Sequence, residues 1–235
     1  DQLETSARRT GGQGGGMSLQ ACAEIVARGD PDRFAAAMAA PVEARKVLLP
    51  LYAFNVEVAR APWVSEEPMI GEMRLQWWRD VLEEIGAGQA PRKHEVAEPL
   101  AGVLDAQAAQ MLDKVVAMRR WDLYRDPFGD SAHFDDYIDA GGTLMWCAAR
   151  ALGADPAAAA KVTGLGRAAA LARYFQAVPA LEARGRIPLL DGRPEAVGDL
   201  AKSILREMPG RGALHAVLPR RARAATLEAW SAAPI

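Results

Sequence analysis

The sequence predicts an all-α fold, a single bundle of helices, and three observations carry that prediction. From Met17 onward alanine, leucine, arginine and glutamate dominate, the residue types that cost least in a helix. No run of β-branched residues alternates with polar ones, so no strand is expected. Proline and glycine recur at intervals suited to short connections, and no long linker or internal repeat divides the chain.

The elements follow from that punctuation. Residues 1–16 contain a glycine cluster that nucleates helix poorly, and they are read as a tail ahead of one helical domain spanning 17–235. A first helix is expected over 19–28, stopped by Gly29-Asp30-Pro31, and a short one over 32–39. Pro41 suits the first turn of a helix reaching to about 61, which Pro50 should kink or divide. Pro68 opens a helix over 69–85, closed by Gly86-Ala87-Gly88. Further helices are expected over 95–103, 105–121, 134–152, 156–178, 195–207 and 212–232.

Composition narrows the function. The net charge of −2 provides no basic field for nucleic acid or anionic lipid, so a nucleic-acid partner is not expected. Two cysteines, Cys22 and Cys147, are too few for a disulfide framework and fit a reducing compartment. They do not combine with His94, His133 and His215 into a zinc-ligand spacing. No apolar run approaches the roughly 20 residues of a membrane span, and the first residues lack the apolar stretch of a secretory signal. A cytoplasmic location is expected.

Three segments stand in a telling order: Leu51-Tyr52-Ala53-Phe54 with Asp32-Arg33-Phe34 and Arg45 upstream, then Arg74-Leu75-Gln76-Trp77-Trp78-Arg79, then Gly166-Arg167 through Arg184-Gly185-Arg186-Ile187-Pro188-Leu189. Together they resemble the squalene/phytoene synthase family, from residue 32 to about 189. The middle segment is similar to a divergent branch that includes an assembly factor of mitochondrial respiratory complex I. The resemblance implies the isoprenoid-synthase fold, with helices around a central cavity. It also implies two facing helices, one holding 55–60 and the other 169–177.

Members of that family ionise an allylic diphosphate with Mg²⁺, a hard cation held by carboxylates on two helices. Carboxylates reach one metal cluster from a single helix only at spacings such as i, i+3 or i, i+4. Where the resemblance places the aspartates, this chain has Ala59 and Arg60 on the first helix, and Ala177 and Leu181 on the second. Glu57 lies two residues, about 200° of rotation, from position 59. Asn55 shares that face but is a neutral amide. Neither catalytic residues nor a metal site is therefore expected, and Mg²⁺ would be required only if the chain is an active enzyme.

Two other acidic groups read as structural. Asp135-Asp136-x-x-Asp139 follows a turn-rich loop, where acids favour a helix N-terminus. Asp80, Glu83 and Glu84 read as a solvated face. The cations Arg60, Arg74, Arg79, Arg173, Arg184 and Arg186, with Asn55, are candidate contacts for an anionic, apolar-tailed ligand such as an isoprenoid diphosphate or lipid. The competing reading is that these arginines pair with internal acids or solvent. Trp63, Trp77, Trp78, Trp121, Tyr124 and Trp146 are either core or a partner surface; the adjacent Trp77 and Trp78 cannot face the same way. The function expected is a noncatalytic binding protein, a pseudoenzyme that aids assembly of respiratory complex I at the inner-membrane surface. The alternative is an active prenyltransferase joining two farnesyl or geranylgeranyl diphosphates head to head.

Overall fold

The computed structural model describes residues 11–232; residues 1–10, most of the expected tail, lie outside the described residues. Every regular element described is helical: α1 (Gly11–Gly29), α2 (Pro31–Ala39), α3 (Val42–Arg60), α4 (Pro68–Gly86), α5 (Ala97–Ala101), α6 (Ala106–Met118), α7 (Ser131–Ala151), α8 (Ala159–Glu182), α9 (Pro194–Glu207) and α10 (Arg211–Val217). Tight 3₁₀ turns follow α3 (Ala61–Trp63) and α6 (Arg119–Leu123), precede α8 (Pro156–Ala158) and form the C-terminal segment (Ala222–Ser231). Among the described residues no helix is long and apolar enough to cross a membrane.

α3 is the central element. From Val47 to Phe54 every residue is buried, so the helix is apolar all round and has neighbours on every side. It passes through Pro50 without dividing, which leaves a kink as the alternative of the two expected. α1 lies against it closely enough that a Cβ on Gly29 would meet Val56 at 2.3 Å.

α7 and α8 form the most extensive helix pair. Their seam is glycine: a Cβ on Gly142 would stand 2.6 Å from the Thr163 carbonyl oxygen, and one on Gly166 would stand 2.7 Å from the Gly142 Cα. α7 begins earlier than the sequence suggested because the Asp130 carboxylate caps it, accepting from the His133 amide at 2.8 Å.

Other departures have local causes. α1 runs back to Gly11, through glycines read as tail, because each residue added to a formed helix gains a backbone bond. α8 continues past Val178 through Pro179 and ends at Glu182; three residues on, the chain turns at Gly185, whose φ of +73° suits a residue without Cβ. The expected last helix splits at Pro219: Leu218 before it is extended, as the proline ring demands. Arg223 secures the corner by donating to the carbonyls of Leu218 (3.1 Å) and His215 (3.0 Å). That turn lays the C-terminal segment across α2, α7 and α8, which brings Glu228 inside.

Candidate functional site

α2, α3, α6, α7, α8 and the turn after α6 enclose a cavity of about 160 Å³. Its polar lining is Arg33, Asn55, Arg119, Tyr137, Arg173 and Tyr174; alanines at 140, 170 and 177 complete much of the wall. Asn55 on α3 and Ala170, Arg173 and Ala177 on α8 share this space, so the two helices expected to face one cavity both line it.

The three arginines are held by two buried networks. Arg33, 6 % exposed, donates through Nε to Glu228 Oε2 and through an η nitrogen to Asp30 at 2.6 Å. Arg173 donates to the same Glu228 oxygen at 2.8 Å and to the Glu228 carbonyl at 2.7 Å. Glu228 is 1 % exposed. Burial opposes the charge on Arg33, but Glu228 and Asp30 more than restore it and raise its pKa. For Arg173 burial dominates, the Arg33 charge adds to it, and the pKa falls. In the second network Arg119 donates to the Tyr137 hydroxyl at 2.7 Å and to Asp122 at 3.3 Å, and Tyr137 donates to Asp122 at 3.0 Å. Burial pushes both the Asp122 carboxyl and the Tyr137 hydroxyl up. Each of the three cavity arginines thus has a buried acid, as the cost of an unpaired interior charge requires.

The arginines singled out from the sequence scatter. Arg173 lines the cavity with Asn55. Arg60 does not: it sits at the end of α3 with its side chain 61 % exposed, paired to Glu57 at 3.5 Å. Ala59, half-buried beside it, is not in the cavity wall either. Arg74 is exposed beside an apolar groove, and Arg79 forms a forked pair with Asp113 of α6 at 2.7 and 3.0 Å. Arg184 lies over the Trp63 ring at 4.6 Å. Arg186 is buried, 4.2 Å over the Trp121 ring, and donates to the carbonyls of Trp121 (2.6 Å) and Asp122 (3.0 Å), so it staples the turn after α6 to the end of α8. Leu181 is buried, and its carbonyl accepts from the amides of Arg184 and Arg186. Sequence reasoning missed the site roles of Arg119, Tyr137, Tyr174 and Glu228. Arg33 stood next to a recognised segment, but nothing local marks Glu228, which is 195 residues away from its partner Arg33.

This lining does not fit Mg²⁺. The ion needs oxygen ligands at about 2.0–2.1 Å in octahedral array, and no carboxylate lines the cavity. Among the described residues, no group of three or more His, Cys, Asp or Glu converges on one point. Asp135 and Asp139 instead face Arg167 of α8, at 2.6 and 3.3 Å. Asp80 and Glu84 bind Arg92 at 3.2 and 2.8 Å. Cys22 and Cys147 are buried, and burial pushes both thiols up to about 12.

Comparison with known proteins gives a consistent picture. The squalene/phytoene synthase family model matches residues 26–191. The human protein named NADH dehydrogenase (ubiquinone) complex I, assembly factor 6, is 32 % identical over 72 residues, 31 % of this chain and 22 % of that protein. Its Drosophila melanogaster homolog is 28 % identical over 106 residues, 44 % of this chain and 32 % of that one. The mouse protein is 23 % identical over 169 residues, 71 % of this chain and 51 % of its own. The matches therefore span from about a fifth to about half the length of these relatives. A crystal structure of a dehydrosqualene synthase in complex with ligand superposes with a TM-score of 0.68 at 15 % identity, covering 92 % of this chain and 85 % of that one. The all-α architecture is thus the isoprenoid-synthase fold.

Proposed function

The chain belongs to the squalene/phytoene synthase family, and from that premise we propose that it is a noncatalytic member, a binding protein that aids assembly of respiratory complex I. The observation that carries this reading is the cavity wall: three guanidinium groups and an amide around about 160 Å³, with no carboxylate. Pockets that enclose a drug-sized ligand run to about 300–1,000 Å³, so two prenyl chains do not fit. The assembly role is supported by the relatives named complex I assembly factor 6. The place of action proposed is the cytoplasmic face of the inner membrane.

The test is an assay for pyrophosphate release from farnesyl and geranylgeranyl diphosphate with Mg²⁺. No turnover is expected; turnover at enzyme-like rates establishes the prenyltransferase instead. Deletion of the gene is expected to lower the amount of assembled NADH dehydrogenase, and an unchanged amount rejects the assembly role. The cavity itself is proposed to hold only the anionic head of an isoprenoid diphosphate or phospholipid, on Arg173 and Arg119, without metal. Titration of either ligand is expected to be indifferent to EDTA and weakened about tenfold by Arg173→Ala, the scale of one charge-assisted hydrogen bond. Binding abolished by EDTA, or untouched by the substitution, refutes that site.

A further inference from the structure

Arg184 and Arg186, expected to share a site with Arg173, border a different pocket. Three stretches of chain meet there: 62–66 after α3, 122–125 after α6 and 184–186 after α8. The pocket measures about 530 Å³, within the range of small-molecule sites. Its charged lining is Arg125, Arg184 and Arg186 with Glu66 and Asp122. The cations are positioned by rings and backbone instead of by acids. Arg184 lies 4.6 Å over the Trp63 ring, and Arg186 stands 6.0 Å from the same ring and 4.2 Å over Trp121. Arg186 is 7 % exposed; its η nitrogens donate to the carbonyls of Trp121 and Asp122, and its Nε has no acceptor. Arg125 and Arg184 are exposed. Among the described residues none of the three forms an ion pair. Two guanidinium groups thus share one indole, one of them buried, and neither has the acid that each cavity arginine has.

The acids of the lining do not cancel this charge. Asp122 accepts from Arg119 at 3.3 Å and from Tyr137 at 3.0 Å, so it is already answered by a cation outside the pocket. Glu66 is exposed and in no ion pair; Glu67 and Asp126, the next exposed acids along the chain, are not in the lining. Three guanidinium groups against that single free carboxylate leave two positive charges in excess, the charge a phosphate monoester approaches at neutral pH. Ser65 adds a donor: its oxygen accepts from the Glu67 amide at 3.1 Å, and its hydroxyl proton has no partner among the described residues. Guanidinium forks match phosphate oxygens in pairs, which an exposed Arg125 and an exposed Arg184 are free to do.

We propose that this pocket binds a phosphate group, held by Arg125, Arg184 and the Ser65 hydroxyl and attracted by the fixed charge of Arg186. No residue that lines it lines the cavity between α3 and α8, so the site does not depend on ligand binding there.

The probes are inorganic phosphate, titrated against chloride at equal ionic strength, and phosphatidylcholine vesicles containing phosphatidic acid, which carry the same group on a lipid. Phosphate is expected to bind saturably in calorimetry and to raise the melting temperature. Arg184→Ala and Arg125→Ala are each expected to weaken binding about tenfold, the scale of one charge-assisted hydrogen bond. Both side chains are exposed, and circular dichroism checks that the variants fold. Arg184→Lys, which keeps the charge and loses the fork, is expected to fall between wild type and Arg184→Ala. Arg60→Ala removes the same charge outside the pocket, and Arg173→Ala alters the cavity; both are expected to leave phosphate binding unchanged. Binding to the vesicles and not to the free ion, lost with Arg184→Ala, supports the pocket and identifies a lipid headgroup as the source. No saturable binding of either probe overturns the proposal. So does an equal loss in Arg60→Ala, which reduces the effect to net charge, or a loss in Arg173→Ala alone, which moves the anion to the cavity.

Discussion

Two arginines show how burial decides what a charge is worth. Arg60 and Glu57 meet at the surface, where solvent screens the pair, and Arg60→Ala is expected to change stability by no more than about 1 kcal/mol. Glu228 answers Arg33 and Arg173 together in the interior, so Glu228→Gln leaves Arg173 without its paired acid and Arg33 with Asp30 alone, and is expected to cost about 3–5 kcal/mol in urea denaturation. Asp30 adds a pH dependence. Burial pushes its carboxyl up, but the Arg33 charge and the hydrogen bonds from Arg33 outweigh this and hold it below the usual value. A depressed carboxylate stabilises the fold while ionised, so its contribution is present above about pH 4, the unfolded value, and is lost as pH falls through the lower folded value. The wild-type urea midpoint is therefore expected to fall more steeply below that pH than the midpoint of Asp30→Asn, in which the side chain still caps α2. Arg173 and Asn55 could be placed from the sequence because they sit at fixed spacings within segments of recognisable type. Arg60 sits in such a segment too, but it is the last residue of α3, where the helix has left the cavity. Helical spacing identifies a shared face and says nothing about how far along the helix the cavity extends.

Helix existence was legible because it rests on local propensity, and helix ends were legible where a cap or a proline stands, as at Asp30-Pro31 and Pro68. The missed details depend on tertiary contact. The last helix reads as continuous in composition, yet the chain turns at Pro219 to bring Glu228 against α2 and α8. The expected helix over 95–103 shrinks to Ala97–Ala101. The α7–α8 seam was not anticipated at all: a pair of glycines inside a helix reads as weak propensity until the facing backbone is seen at 2.6 Å. Gly142→Ala should raise intrinsic helicity yet destabilise the protein by about 1–3 kcal/mol, because the added methyl meets backbone that cannot rotate aside. Thermal unfolding measures it, and a rise in melting temperature contradicts the close approach. Gly198 in α9, with nothing near its missing Cβ, is the control: Gly198→Ala is expected to be neutral or stabilising.

At the scale of the molecule, the C-terminal segment closes the bundle instead of trailing from it. Deletion from residue 222 onward exposes Arg33 and Arg173 and removes buried Ala222, Ala224 and Ala225. Such a truncation is expected to lose cooperative unfolding in calorimetry, whereas a dispensable tail would leave the transition unchanged. The family match ends at residue 191, and one of the three acids that answer the cavity arginines, the Glu228 shared by Arg33 and Arg173, lies beyond it. Part of the cavity's charge balance is therefore carried outside the segment by which the family is recognised. Two homologues alike from 26 to 191 differ in the charge of this interior if one keeps a glutamate at that distant position and the other does not. A single drift event there removes one buried negative charge from beside Arg33 and Arg173 and makes the chamber more cationic, without touching any residue by which the family is recognised.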